Sequence, residues 1–329
     1  MSRMRNAVDA VLEASVVGSF TKLGPWVRRR LYHWDAEPVA TMQGRTVVIS
    51  GATSGLGREC ARALVRAGAS LDIIARNASK AAELCAELQP LASAGASIDV
   101  VIADTGDLPA MRAAAATLAS RHATIDVLIH NAGALDATFG LSPDGIEQTL
   151  ASHVIGPLAM TELLVPQLRA AGTLASPARV LWVSSGGMYV EPLDVATLQM
   201  TAANYDGTRA YARAKRAQVT LTEMLAARYH ADNIVVHAMH PGWADTPGVA
   251  RSLPTFRRWV GPMLRDPAAG AETLTWLASS MGEPIQCTGQ FWLDRRVRRT
   301  HRNSTTRRSD SADERAKLWD YVHALATQS

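Results

Sequence analysis

Thr46-Val47-Val48-Ile49 runs straight into Ser50-Gly51-Ala52-Thr53-Ser54-Gly55-Leu56-Gly57, and then into an Ala- and Arg-rich stretch, 58–67, that ends at Gly68. The first four residues are β-branched or apolar without interruption, which reads as a buried strand. The stretch beyond the glycines reads as a helix. Glycines at such a junction permit a tight turn and let backbone N–H groups and the helix N-terminus approach a pyrophosphate. Gly51, Thr53, Ser54, Gly55, Leu56 and Gly57 are therefore the expected cofactor loop.

The same alternation continues outward from this loop. Short apolar runs at 71–75, 98–102, 125–129, 179–183 and 234–238 are separated by helical sequence, as at 78–91. Parallel neighbours need long crossover connections, usually helical, so this pattern predicts a parallel sheet covered on both faces. The fold class is thus α/β, a doubly wound Rossmann-type sheet, with helical N- and C-terminal extensions. Expected boundaries are an N-terminal extension at 1–43, a catalytic domain at 44–294, and an Arg-rich linker with a final helix at 295–329.

The extensions carry most of the unusual composition. Residues 4–17 place Ala7, Val8, Val11, Leu12 and Ser15 at helical spacing, followed by Trp26, Arg28-Arg29-Arg30 and Trp34. That segment suits a membrane surface, or packing on the main domain or on another subunit. It lacks the apolar core and cleavage site of a signal peptide, and no run reaches the length of a spanning helix. Near the other end, Arg295, Arg296, Arg298, Arg299, Arg302, Arg307 and Arg308 crowd one stretch, and 301–313 reads as an exposed linker. These clusters suit either anionic partners or a solvated flexible face, and nucleic acid is not an expected partner. In 314–327, Leu318, Tyr321, Val322 and Leu325 share a helical face.

The chain has 329 residues, 47% hydrophobic and 19% charged, with a formal charge of +4, the composition of an ordinary folded protein. Three cysteines, Cys60, Cys85 and Cys287, are too few and too scattered for a disulfide framework or a metal site. A reducing, cytoplasmic setting is expected, peripheral to a membrane if the N-terminal helix docks there.

At the end of the second strand stands Arg76, where an acidic residue would grip a ribose 2′-hydroxyl. A guanidinium suits a 2′-phosphate, so NADP is expected over NAD. Asp72, four residues earlier, is poorly placed for the acidic role. Further on, Tyr211-Ala212-Arg213-Ala214-Lys215 sets a phenol and an ammonium four residues apart, on one helical face. A neighbouring cation lowers a phenol's pKa and makes it a workable proton donor and acceptor at a carbonyl.

The glycine spacing resembles the TGxxxGxG loop of the short-chain dehydrogenase/reductase superfamily, with Ser50 where Thr is usual. The resemblance extends to Asn131-Ala132-Gly133 after the fourth strand, Ser185 after the fifth, Tyr211 and Lys215, and Pro241-Gly242-Trp243-Ala244-Asp245-Thr246. It implies that Asp104 contacts the adenine, that Asn131, Ala132 and Gly133 support the sheet beside the cofactor, and that Pro241, Gly242 and Thr246 lie near the nicotinamide. It also implies that Ser185 hydrogen-bonds the substrate oxygen and that Lys215 hydrogen-bonds the nicotinamide ribose.

Ser184-Ser185-Gly186-Gly187-Met188, His240-Pro241-Gly242-Trp243-Ala244-Asp245-Thr246-Pro247-Gly248-Val249 and even Ser19-Phe20-Thr21-Lys22-Leu23-Gly24 are similar to the dehydrogenase/reductase SDR family member 12 group. One departure stands out. His153 occupies the position where many relatives carry the Asn that holds a relay water beside Lys. A His there can still pass a proton, with altered pH dependence, or can be purely structural.

The resulting expectation is an NADP(H)-dependent oxidoreductase interconverting a carbonyl and an alcohol, without a metal. The alternative is an NADP-binding regulatory or scaffold protein with lost or weak turnover. Substrate contacts are expected from 187–204 and from the segment after Thr246, with Met188, Trp243, Trp259 and Met263 suggesting an apolar ligand such as a retinoid, steroid or lipid-derived carbonyl. Homo-oligomers through core helices are typical of the superfamily, and the terminal segments could block or replace those contacts.

Overall fold

Seven strands run parallel: β1 (Thr46–Ser50), β2 (Ser70–Ala75), β3 (Ile98–Ile102), β4 (Val127–His130), β5 (Ala178–Val183), β6 (Ile234–Met239) and β7 (Gln290–Leu293). An eighth, β8 (Arg296–Val297), pairs antiparallel with β7 at the edge. The computed structural model, which describes residues 2–328, orders them β3-β2-β1-β4-β5-β6-β7-β8. The order reverses between β1 and β4, and open α/β sheets bind ligands at the carboxyl ends of the strands at such a reversal.

Three helices precede the sheet: α1 (Ser2–Ala14), α2 (Val16–Phe20) and α3 (Leu23–Tyr32). The crossovers are α4 (Gly55–Arg66), α5 (Ala78–Leu88), α6 (Leu108–Arg121), the short α7 (Gln148–Leu150) leading into α8 (Gly156–Ala171), and α9 (Gly207–Tyr229). Beyond β6 come α10 (Pro247–Ser252), α11 (Pro254–Val260) and α12 (Pro267–Ser279), and the chain ends with α13 (Ser304–Ser309) and α14 (Ala312–Thr327).

Every residue of β4, β5 and β6 is buried, as two-sided coverage requires. Successive side chains of β1 divide between two cores. Val48 joins Leu128, Val180 and Val236 under α6, α8 and α9, while Val47 and Ile49 join Leu71, Ile73 and Leu181 under α4 and α12.

The extensions depart from their expected form. The helix read over 4–17 breaks at Ser15, whose hydroxyl accepts the Gly18 N–H and caps α2. Its buried face is not the apolar one. Asp9 is turned inward, whereas Ala7, Val8, Val11 and Ser15 are exposed.

The basic clusters are solvated only in part, with Arg30, Arg299, Arg307 and Arg308 exposed and Arg28 and Arg295 buried. Arg28 is fully buried between Asp9 (2.7 Å) and Asp294 (2.6 Å), and Arg298 reaches Asp9 at 2.9 Å. The two clusters therefore meet on shared carboxylates, because burial of a guanidinium demands a charged partner. The stretch 301–313 is no linker. Asn303 caps α13 by accepting the Thr306 N–H, and Asp310 pairs with Arg315 and His301. Leu318 and Val322 of α14 are fully buried, and Tyr321 and Leu325 pack against the same core.

Candidate active site

The glycine loop sits where β1 meets α4, and the backbone geometry there admits only glycine. Gly51 has φ +69°, and a Cβ on it would lie 2.6 Å from the Ala132 Cα. A Cβ on Gly57 would meet Asn131 Nδ2 at 2.4 Å and the Gly51 carbonyl oxygen at 2.5 Å. Asn131 Nδ2 donates to the carbonyl oxygens of Ser50 (3.1 Å) and Gly51 (2.9 Å), tying the ends of β1 and β4 together. Gly55, at φ +56°, faces the side chain of Thr246, so the loop after β6 closes over the same helix end.

Ser54 precedes α4 without capping it by a side-chain hydrogen bond, which leaves first-turn N–H groups for an anion. Thr53, Ser54 and Leu56 retain solvent access beside that end. At the tip of β2, Arg76 has a 70% exposed side chain with Asp104 at 3.7 Å, and Asp104 Oδ1 is held by the Gly106 N–H at 2.9 Å. Asp72 is fully buried on Arg121 and His122 (2.6 Å), away from that tip, as its place within the strand foretold. The residues present fit a dinucleotide, with an open helix N-terminus for the diphosphate and the largely exposed Arg76 guanidinium at the strand tip.

Asp206 starts α9 by accepting the N–H groups of Thr208 and Arg209, and α9 then carries Tyr211 and Lys215 on one face. Lys215 Nζ lies 5.3 Å from the Tyr211 ring centroid and donates to the Val183 carbonyl at 2.9 Å. Ser185 begins the turn after β5, its Oγ accepting the Gly187 N–H at 3.2 Å. Pro241 and Gly242 lead from β6 toward this end, with Gly242 at φ +74° against the Arg265 guanidinium.

Electrostatics here differ from the expectation that Lys215 lowers the Tyr211 pKa. Burial raises Tyr211 above its ordinary value of 10.0, and a hydrogen bond with Ser185 opposes it. Burial also lowers Lys215 to about 7, which weakens the cation that was to act on the phenol.

His153 lies beside both, its ring edge-to-face with Tyr211 at 5.5 Å. Its Nε2 accepts the Ala134 N–H at 3.0 Å, so the neutral ring carries its proton on Nδ1. That Nδ1 is buried and has no hydrogen-bond partner among the described residues. Burial, together with the Lys215 charge, holds the imidazole well below its ordinary pKa.

The backbone at His153 is set by Pro157, four residues on. Proline has no N–H to return to the His153 carbonyl, and the helix loosens into a π-turn over Ala151–Ile155. Gln218 Nε2 takes the freed carbonyl at 2.7 Å.

The profile of the short chain dehydrogenase family matches residues 45–255. The chain belongs to the short-chain dehydrogenase/reductase family. It is an oxidoreductase of a family that uses NAD(P). A Bos taurus protein, dehydrogenase/reductase SDR family member 12, is 35% identical over 283 residues, covering 86% of each chain. The Homo sapiens protein of the same name is 41% identical over 186 residues, or 56% of each chain. An uncharacterized Mycobacterium paratuberculosis protein of known crystal structure superposes with a TM-score of 0.69 at 26% identity, covering 89% of this chain and 97% of that one.

Several residues at the site were not assigned a role from sequence. Phe20, from the N-terminal extension, packs edge-on against His240 (4.4 Å) and Trp243 (5.8 Å). His240 Nδ1 in turn accepts the Gly186 N–H at 3.2 Å, directly after Ser185. The Phe20 carbonyl accepts from Trp243 N–H (2.7 Å) and Arg265 Nε (2.9 Å). Arg216 is fully buried and joins the Met188 carbonyl (2.7 Å) to that of Thr300 (2.9 Å). Met188 itself is fully buried in the core, so it is not a ligand contact. Only Phe20 had a local signal, the charge and aromatic content of its extension.

Proposed function

We propose that the chain reduces an apolar carbonyl compound with NADPH. The observation that carries this reading is the grouping of the Tyr211 phenol, Ser185 and Lys215 at the carboxyl ends of the strands, beside the glycine loop. When bound, the nicotinamide supplies hydride to the carbonyl carbon. Tyr211 gives its proton to the carbonyl oxygen, which Ser185 orients, and Lys215 holds the nicotinamide ribose. His153 is proposed to pass protons inward, since its Nδ1–H, beside Tyr211, is a buried donor without a partner among the described residues.

Preference for the 2′-phosphorylated cofactor is supported by Arg76, exposed at the strand tip. Access for an apolar substrate is supported by Trp259 and Met263, which are 78% and 41% exposed beyond Thr246.

The test is oxidation of NADPH and NADH by the purified chain against a panel of aldehydes and ketones. Turnover with NADPH, lost in Tyr211→Phe and shifted toward NADH in Arg76→Ala, is the expected result. His153→Asn should move the pH–rate profile; an unchanged profile refutes the relay. The second reading, cofactor binding without turnover, is favoured by His153 standing at the relay position in place of the usual Asn. It is established if NADPH binds but no carbonyl is reduced.

A further inference from the structure

Helix α1 is inverted relative to a helix that packs on a core. Its carboxylates, Asp9 and Glu13, point inward to Arg28, Arg298 and Arg302. Its apolar residues Met4, Val8 and Val11, at i, i+4 and i+7, are 70%, 43% and 75% exposed. Leu23 and Trp26 of α3 are exposed as well, with the Arg30 guanidinium stacked 4.0 Å from the Trp26 ring centroid.

This surface continues onto the rim of the candidate active site. The Lys22 N–H donates to the Met263 carbonyl at 3.0 Å, at the end of the 247–263 segment that presents Trp259 to solvent. Among the described residues, nine of the seventeen large apolar side chains left exposed fall within 4–32 and 247–263, so their concentration there is not the scatter of an ordinary surface.

The charges point to one kind of occupant. In 4–32 the acidic residues are Asp9 and Glu13, both committed inward, and 247–263 has none. Lys22, Arg30, Arg251 and Arg258 are exposed and have no carboxylate partner among the described residues. Exposed tryptophans beside free cations and an outward apolar helix face suit the headgroup region of an anionic bilayer. A second copy of the chain would bring like charges together across this face.

We propose that α1, α3 and the 247–263 segment together dock on an anionic lipid surface, placing the substrate entrance against the bilayer so that apolar substrate enters from the lipid. The substrate half of this statement rests on the reading of an apolar carbonyl compound above; the docking half does not.

The experiment uses the full chain with phosphatidylcholine vesicles, with and without phosphatidylglycerol, read by co-sedimentation and tryptophan emission. Binding to the phosphatidylglycerol vesicles is expected, with a blue shift, and it should weaken at high salt. The double variant Val8→Glu/Val11→Glu should lose about tenfold or more in vesicle affinity while reducing a water-soluble carbonyl at the unaltered rate. With a lipid-dissolved carbonyl, the same variant should show a raised KM and an unchanged kcat. Absence of binding to either vesicle overturns the docking, as does binding indifferent to the double variant. A dimer that the double variant dissociates overturns it in favour of a second copy. If vesicles bind but no carbonyl is reduced, the docking stands and the reading of the reaction fails.

Discussion

Replacing Asp294 with Asn removes the charge on which the N-terminal helices hang. Asp294 is 1% exposed and takes Arg28 at 2.6 Å and Arg265 at 2.5 and 3.0 Å, and both guanidiniums are themselves buried. Its φ of +54° is a left-handed conformation that Asn tolerates, so Asp294→Asn changes charge without adding backbone strain. Arg28 keeps Asp9 and Glu13, but Arg265 is left buried without a carboxylate, and breaking a buried ion pair in this way costs about 3–5 kcal/mol. At about 2 °C per kcal/mol for a chain of this size, the melting temperature should fall by about 6–10 °C.

The cost is relieved if the segment carrying Arg28 lifts away, so amide exchange in α2 and α3 should accelerate ahead of the sheet. The control is Asp35→Asn, whose ion pair with Arg29 is at the surface, 79% exposed on the Asp side. It should cost under about 1 kcal/mol. A melting temperature and an exchange pattern in Asp294→Asn that match wild type would refute the argument that this network anchors the extension.

Gly57→Ala forces a methyl within 2.4 Å of Asn131 Nδ2 and 2.5 Å of the Gly51 carbonyl, so the loop must shift. NADPH affinity, read by fluorescence titration, should drop about tenfold or more, equivalent to about 1.4 kcal/mol. Lys215, lowered by burial to about 7, binds its proton less readily folded than unfolded. The unfolded chain therefore holds more protons from about pH 7 to about 10.4, and this residue's contribution to stability rises with pH across that window. Urea unfolding of Lys215→Met should show a flatter pH dependence there; an identical slope would contradict the shift. Gln218→Leu leaves the buried His153 carbonyl unpaired and should destabilise by about 1–3 kcal/mol in the same assay.

The sheet and the glycine loop were legible because their signals are local. A strand is a run of β-branched residues, and 98–102 has the same bounds in the sequence reading as in β3. The fourth strand was read two residues early, at 125–129. Asp126 there spends its carboxylate on the Thr46 N–H and Arg45, and the ladder begins at Val127. β7 and β8 were not read, since Gln290-Phe291-Trp292-Leu293 has no β-branched residue and β8 is two residues long.

Sequence alone also determined which residues share a helix face, and so placed Tyr211 with Lys215 and put Arg76 at a strand tip. What it could not determine was how far their chemistry is altered, since desolvation depends on every neighbour that excludes water. Only the tertiary structure brought Arg28 to Asp294, 266 residues away. Only it turned the carboxylates of α1 inward and set Phe20 behind His240. Amphipathic spacing marks a face, but whether that face meets the core or the solvent is decided by which distant charges need a partner.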